Sequence, residues 1–191
     1  MSNTPITDSY WLVPGRLLAG EYPGARTDEE ARRKLGAFLD AGIDFFLDLT
    51  EEDEGLAPYA PLLLEEAGAR GRAVTYKRLA IPDLGAPTAA RMHEIQQAIT
   101  RAFDEGHTVY VHCWSGVGRT GTVIGCYLVE QEVSGAEALA EIRRLRRGIE
   151  DSRRNSPETG AQEDFVKSWR GFVTRGQPQG RAKDFAKTAQ I

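Results

Sequence analysis

The stretch Val109–Gly121, reading Val-Tyr-Val-His-Cys-Trp-Ser-Gly-Val-Gly-Arg-Thr-Gly, constrains the fold more than any other part of the chain. A β-branched run ends in His112-Cys113. A loop bearing Gly116 and Gly118 follows, then Arg119-Thr120-Gly121, then an apolar stretch with Val123, Ile124, Tyr127 and Leu128. This pattern places a strand before a cysteine, and the cysteine in a loop at a helix N-terminus. Such a terminus offers unpaired backbone N–H groups and the positive end of a dipole. It binds anions and favours a thiolate over a thiol. The two glycines let the loop curl with its N–H groups inward, the nest geometry that takes phosphate oxygens. Five residues separate Cys113 from Arg119. A curled loop therefore returns the guanidinium over the sulfur, where its planar fork suits two phosphate oxygens.

The rest of the chain supplies a layered α/β frame. Tyr10–Val13 and Arg16–Ala19 flank Pro14-Gly15 and predict a hairpin behind a polar arm, residues 1–9. Thr27-Asp28-Glu29-Glu30 has capping-box spacing and predicts a helix to about Ala41, with Leu35, Phe38 and Leu39 inward and Gly42 ending it. Ile43–Leu49 reads as a buried strand, 50–55 as an acidic loop, Tyr59–Ala67 as a weak helix, and Val74–Leu79 as a strand. Ile81–Thr88 is a loop pinned by Pro82 and Pro87. Thr88 then caps a helix to about Phe103 that carries Met92, Ile95 and Ile99. Ser134-Gly135-Ala136-Glu137 caps another helix, with Ala138, Leu139, Ile142 and Leu145 inward. Ser156-Pro157-Glu158-Thr159 predicts the start of the last helix, with proline at its first position and Phe165, Val166, Trp169, Phe172 and Val173 on it. Strands alternating with helices give a central, mixed, largely parallel sheet flanked by helices, with the cysteine loop between a central strand and a helix.

Composition narrows the class. At 191 residues, residues 1–175 are expected as one domain and 176–191 as a flexible C-terminal tail. A hydrophobic content of 41% and a net charge of −4 suit a globular chain and argue against a general nucleic-acid binder. No run approaches the roughly 18 apolar residues of a membrane span, and the N-terminus lacks signal-peptide features. Two cysteines are too few for a disulfide scaffold, and a thiolate enzyme needs a reducing compartment, so a cytoplasmic setting is expected. His93, His107 and His112 show no metal-ligand spacing, and no metal or cofactor is expected. Cys126 lies two helical turns beyond the loop, too far to pair with Cys113, and reads as core. Gly116-x-Gly118-x-x-Gly121 also fits a dinucleotide fingerprint. That reading needs a strand ending in an acidic residue about 20 positions on, where Ala136–Arg147 reads as a helix. The six arginines between Arg143 and Arg154 read as a solvated helix face, or as a basic rim for acidic or multiply phosphorylated substrates.

Cys-x5-Arg preceded by His112 and followed by Thr120 resembles the signature of cysteine-dependent protein tyrosine phosphatases, most closely their dual-specificity branch. Leu12–Gly20, Phe46–Leu49, the Pro82-Asp83 loop and Ser156-Pro157-Glu158-Thr159-x-x-Gln162 stand in the family's order. The resemblance implies a phosphomonoesterase that acts on phosphotyrosine, and on phosphoserine and phosphothreonine, through a cysteinyl-phosphate. Cys113 would be the nucleophile, with Trp114, Ser115, Gly116, Val117, Gly118 and Arg119 holding the phosphate. Asp83 would be the general acid, since an alkoxide or phenoxide leaves far more easily when protonated. Asp48, Glu51, Glu52 and Asp53 rank below it. The resemblance further implies that Thr120 hydrogen-bonds the thiolate, that His112 supports it from behind the loop, and that Gln162 positions the hydrolytic water. No counterpart of the tyrosine-bearing loop of strict tyrosine-specific members is present, which implies a shallower pocket. The loop also lacks the lysines of phosphoinositide-specific relatives. An inositol-phosphate or phosphoinositide phosphatase is one alternative, and a non-catalytic phospho-residue binding module is another. The expected partner is a phosphorylated protein or small phosphomonoester, with no nucleic acid and no membrane, and the protein itself is expected to be a monomer.

Overall fold

The computed structural model describes residues 4–171. Strands β1 (Ser9–Val13), β2 (Leu17–Gly20), β3 (Phe45–Asp48), β4 (Thr75–Arg78) and β5 (Val109–His112) form one sheet in the order β1-β2-β5-β3-β4. β1 and β2 make the antiparallel hairpin that Pro14-Gly15 predicts, while the pairs β2–β5, β5–β3 and β3–β4 are parallel. Helices α1 (Asp28–Asp40), α2 (Ala60–Ala69), α3 (Ala89–Asp104), α4 (Gly118–Glu130), α5 (Gly135–Leu145) and α6 (Gly160–Ser168) cover both faces. The sheet is thus mixed and largely parallel, as the alternation of elements implies.

Period-two alternation sets what each face buries. On β5, Val109 and Val111 face a core shared with α3, α4, α5 and α6. Tyr110 faces a second core with Phe38 of α1, Phe46 of β3 and Leu63 of α2. A strand buried on both faces reads as a continuous apolar run, and that is how Val-Tyr-Val marks itself in the sequence. Register does the rest. His112 lies level with Gly20 on one side and Asp48 on the other, so β2, β5 and β3 end together. In open parallel sheets the crevice outside the carboxyl ends of the strands is where ligands bind. The cysteine loop, the acidic loop after β3 and the Asp83 loop after β4 all leave from that edge.

Helix starts follow their caps. Thr27, Thr88 and Ser134 accept from the backbone N–H three residues on and open α1, α3 and α5. Pro61 sits in the first turn of α2, where a missing N–H costs nothing. The last helix departs from its expectation. Ser156-Pro157 precedes α6 instead of opening it. A capping box outcompetes the proline: Thr159 accepts from the Gln162 N–H, and the Gln162 side chain accepts from the Thr159 N–H. Ser156 donates instead to the Val117 carbonyl, 2.7 Å away. Trp169 lies just past α6, where its indole N–H donates to Glu130 at 3.0 Å. Ser9, assigned to the polar arm, is the first residue of β1. Phe172, Val173 and the predicted tail, 176–191, lie outside the described residues. Among those described, no helix is long and apolar enough to cross a membrane.

Candidate active site

The loop after β5 is anchored through its carbonyls. The Cys113 carbonyl is 3.1 Å from His112 Nδ1, and that of Trp114 accepts from the Tyr22 N–H at 2.7 Å. Gly116 accepts from Arg146 at 3.0 Å, Val117 from Ser156, and Gly118 from the Thr122 hydroxyl at 2.9 Å. With these oxygens turned outward, the amides face the other way. Among the described residues none of the N–H groups of Trp114–Val117 has a partner. No side chain caps α4, so its first turn adds open donors and the positive dipole end. Gly116 is required on two counts. Its φ is +69°, and a Cβ there would come within 2.4 Å of the Gly20 backbone. The loop and the end of β2 touch with no room for a side chain.

His112 is fully buried at the end of β5. A carbonyl only accepts, so Nδ1 carries the proton toward the Cys113 carbonyl. Nε2 then accepts from the Tyr59 hydroxyl, 2.7 Å away. Burial pushes the His112 pKa below its ordinary value, against the pull of Asp48, which keeps the ring in this neutral tautomer. The histidine therefore fixes the strand-to-loop turn behind Cys113.

Arg119 is only 2% exposed, yet its guanidinium reaches the cavity that Cys113 lines. Burial works against its charge, but its hydrogen bonds to Glu54 and the charges of Cys113, Glu54 and Asp83 outweigh that and hold its pKa above the ordinary value. Glu54 binds the Nη1 and Nη2 ends together, with the second contact at 2.9 Å, and Nη1 also reaches the Ile81 carbonyl at 3.3 Å. Burial tends to raise the Glu54 carboxyl, but the Arg119 bonds prevail and hold it below its usual range. Asp83 Oδ1 sits 3.0 Å from Nη2. The Nε–Nη2 edge is the fork left for an oxyanion, and Asp83 occupies one corner of it.

Glu54 is the residue that sequence reasoning passed over, although it belongs to the acidic loop already noted. Asp48, a lower-ranked acid, is buried and occupied by Thr50 at 2.7 Å and Tyr76 at 2.8 Å. Glu51 instead accepts the Asp83 N–H at 3.1 Å and so anchors the loop of the candidate acid. Glu52 lies on the surface near Arg78.

A cavity of about 380 Å³ opens over Cys113, Ser115, Gly118 and Arg119, with Asp83, Leu84, Trp114, Arg154, Glu158 and Gln162 around it. Gln162 is buried and both ends of its amide are occupied: Oε1 accepts from Glu158 and Thr159, and Nε2 donates to the Gly85 carbonyl at 2.9 Å. It ties α6 to the Asp83 loop. Thr120 Oγ1 is buried without a hydrogen-bond partner among the described residues, so the bond to the thiolate implied by the resemblance is not made in this arrangement. Cys126 is buried core and burial pushes its thiol pKa up. Of the arginine run, Arg146 turns inward to the loop, contrary to a solvated face, because the 3-10 turn Arg146–Gly148 rotates it off the α5 surface.

Comparisons with known proteins identify the family and the fold. The family model described as a Swiss Army Knife protein, DSP-PTPase phosphatase domain, matches residues 7–166. The protein tyrosine phosphatase domain-containing protein 1 of Mus musculus is 30% identical over 132 residues, which is 63% of this chain and 17% of that protein. This chain therefore spans a small part of that relative's length. The crystal structure of Tk-PTP in the active form superposes with a TM-score of 0.65 at 30% identity, covering 85% of this chain and 96% of that one. PTPMT1 in complex with PI(5)P shares the fold, with a TM-score of 0.61, 24% identity and 83% and 92% of the two chains covered. The chain belongs to the DSP-PTPase phosphatase-domain family, within the cysteine-based tyrosine and dual-specificity phosphatase superfamily.

Proposed function

We propose that the protein hydrolyses phosphomonoesters on proteins, phosphotyrosine first and phosphoserine and phosphothreonine as well, by a cysteine mechanism that needs no metal. The supporting observation is the loop itself, whose carbonyls are drawn outward and whose amides are left free around Cys113 beneath Arg119. That arrangement is organised for a phosphoryl dianion before one arrives, which is where electrostatic catalysis gains most. Residues 1–175 act as one phosphatase unit in this reading, in a reducing, cytoplasmic setting.

Cys113 thiolate attacks phosphorus in line. The S–P bond forms as the P–O bond to the leaving group breaks. The incoming dianion takes the Nε–Nη2 edge of Arg119 and displaces Asp83 from Nη2. Glu54 keeps the guanidinium in place through its other edge. Asp83, displaced from Arg119 and carrying a proton taken from solvent, gives that proton to the leaving oxygen at the cavity mouth. Water then attacks phosphorus, Asp83 takes the proton, and the S–P bond breaks to return the thiolate. Thr120, whose buried hydroxyl is unpartnered, is the donor available to that departing sulfur. Gln162 holds the acid loop against α6, and turning toward water would cost it the Gly85 bond. Leu84 and Trp114, each 56% exposed, flank the mouth and offer apolar walls to an aryl ring.

The test is hydrolysis of p-nitrophenyl phosphate under reducing conditions with EDTA. Turnover that persists with EDTA, yields to vanadate and vanishes in Cys113→Ser supports the reading. No turnover by the folded, reduced wild type overturns it, and phosphopeptide binding without turnover then identifies a binding module.

A further inference from the structure

A cavity of about 770 Å³ lies between α3, the end of α4 and the chain just past α6, and it shares no lining residue with the catalytic one. Arg101 and Asp104 line it from α3, Glu130 and Glu132 from the end of α4 and the turn beyond, and Arg170 from the segment after α6. Both signs of charge share this wall, yet among the described residues none of the five takes part in an ion pair. Opposite charges held apart in one cavity leave a gap that a ligand of both signs can bridge.

Gln96 points to a ligand independently. It is 3% exposed and lines the same cavity. Its Nε2 donates to the Val123 carbonyl at 2.9 Å and to the Met92 sulfur at 3.3 Å, while Oε1 is buried with no hydrogen-bond partner among the described residues. A buried acceptor left open is costly, and in a cavity wall it calls for a donor from outside the chain. Glu130 stands half-buried in that wall. It accepts from the Trp169 indole at 3.0 Å, yet burial still pushes its carboxyl above the usual range, which a cation beside it would relieve. Behind it the chain is close: a Cβ on Gly171 would come within 3.0 Å of Glu130 Cγ. Glu132 has a φ of +67° at the helix end, where its N–H donates to the Val129 carbonyl and that of Val133 to Leu128. Glycine usually fills that position, and here a carboxylate is kept on the cavity wall instead.

We propose that this cavity binds a small zwitterion, a molecule carrying an ammonium and a carboxylate at separated ends. The ammonium donates to Gln96 Oε1 and pairs with Glu130, and the carboxylate pairs with Arg101 and Arg170. The remaining charges give selectivity. A plain anion meets the carboxylates of Asp104, Glu130 and Glu132, and a plain cation meets two guanidinium groups, so ligands of one sign are disfavoured. The inference is independent of the phosphatase reading.

The test is calorimetric titration of the full-length wild type with 6-aminohexanoate and with its two half-ligands, hexylamine and hexanoate, with vanadate present to occupy the catalytic cavity. The zwitterion is expected to bind about tenfold or more tighter than either half-ligand, since each lacks one charge-assisted contact. Glu130→Gln, which keeps an acceptor for Trp169, should bring 6-aminohexanoate down to the affinity of hexanoate. Arg101→Gln with Arg170→Gln should bring it down to that of hexylamine, and because both arginines are exposed this pair stands in if Glu130→Gln fails to fold. Affinities within about twofold for all three probes, no heat from 6-aminohexanoate up to about 50 mM, or binding that vanadate abolishes would each overturn the proposal.

Discussion

The loop after β5 and the loop after β4 meet over Cys113, but they are fastened differently. In the cysteine loop, carbonyls are held by donors from five other places: His112, Tyr22, Arg146, Ser156 and Thr122. Its glycine is backed directly onto Gly20. In the acid loop, Asp83 is 51% exposed on its side chain and its N–H is held by Glu51, while Gln162 and Thr159 hold the next two carbonyls. Its carboxylate rests on Arg119, and Leu84 beside it adopts a φ of +56°, the left-handed region that non-glycine residues seldom enter. The difference follows from the chemistry. Donors that stabilise a transition state work best when fixed in advance. A proton donor must leave its resting partner and meet the leaving group, so it sits where a few side-chain bonds can be exchanged.

That contrast makes the effects of substitution separable. Asp83→Asn should lower kcat by about 10²–10⁴-fold, the usual worth of general acid catalysis, and leave the unfolding midpoint nearly unchanged. An equal loss of stability would mean that the acid loop is as structural as the cysteine loop. Gly116→Ala should lose activity and stability together, by about 2–4 kcal/mol in unfolding free energy, from a strained φ and overlap with β2. A variant of wild-type stability, measured by urea unfolding, would show the loop to be looser than its contacts imply. Glu54→Gln should act between these extremes. It leaves a buried guanidinium without its full counter-charge, which costs about 3 kcal/mol where no other partner helps, and Asp83 supplies part of that help. A kcat loss of about tenfold with vanadate affinity also reduced would mark Glu54 as a positioning residue for Arg119; unchanged vanadate affinity would remove that role.

The smallest effect is a pH dependence. The folded-state pKa of His112 lies below its unfolded value near 6.5, so the unfolded chain takes up the proton first as pH falls. Stability is therefore fully present above pH 6.5 and declines below it, by at most about 1.4 kcal/mol per pH unit from this group. Thermal unfolding of wild type and His112→Asn between pH 7.5 and about 5 should show a shallower slope in the variant. Parallel slopes would mean that the buried ring titrates as freely as in water.

How much could be read from the chain depended on sequence distance. The cysteine loop is local: strand, glycines, arginine and helix start lie within thirteen consecutive residues, and each has a direct backbone reason. The hairpin and the caps of α1, α3 and α5 are equally local, whereas the strand order pairs Leu17 and Phe45 with Val109 and has no local signal. Glu54 was invisible because its partner is 65 positions away, and an acidic loop carries no periodicity to rank its members. The resemblance singles out Gln162 for its chemistry alone, whereas its burial comes from a capping box and from a bond to Gly85 across 77 positions. The same capping box displaced Ser156-Pro157 from the helix start. Arg146 looked like its neighbours in an arginine run, and only the turn after α5 shows that it faces the loop.

The central claim is that Cys113 itself carries the phosphoryl group. The direct measurement is rapid acid quenching of wild type and Asp83→Asn during turnover of p-nitrophenyl phosphate, followed by intact-protein and peptide mass analysis. The account predicts a phosphate adduct on the peptide holding Cys113, absent in Cys113→Ser and preceded by a burst of p-nitrophenolate equal to the enzyme present. Continued turnover with no burst and no adduct at Cys113 would contradict it.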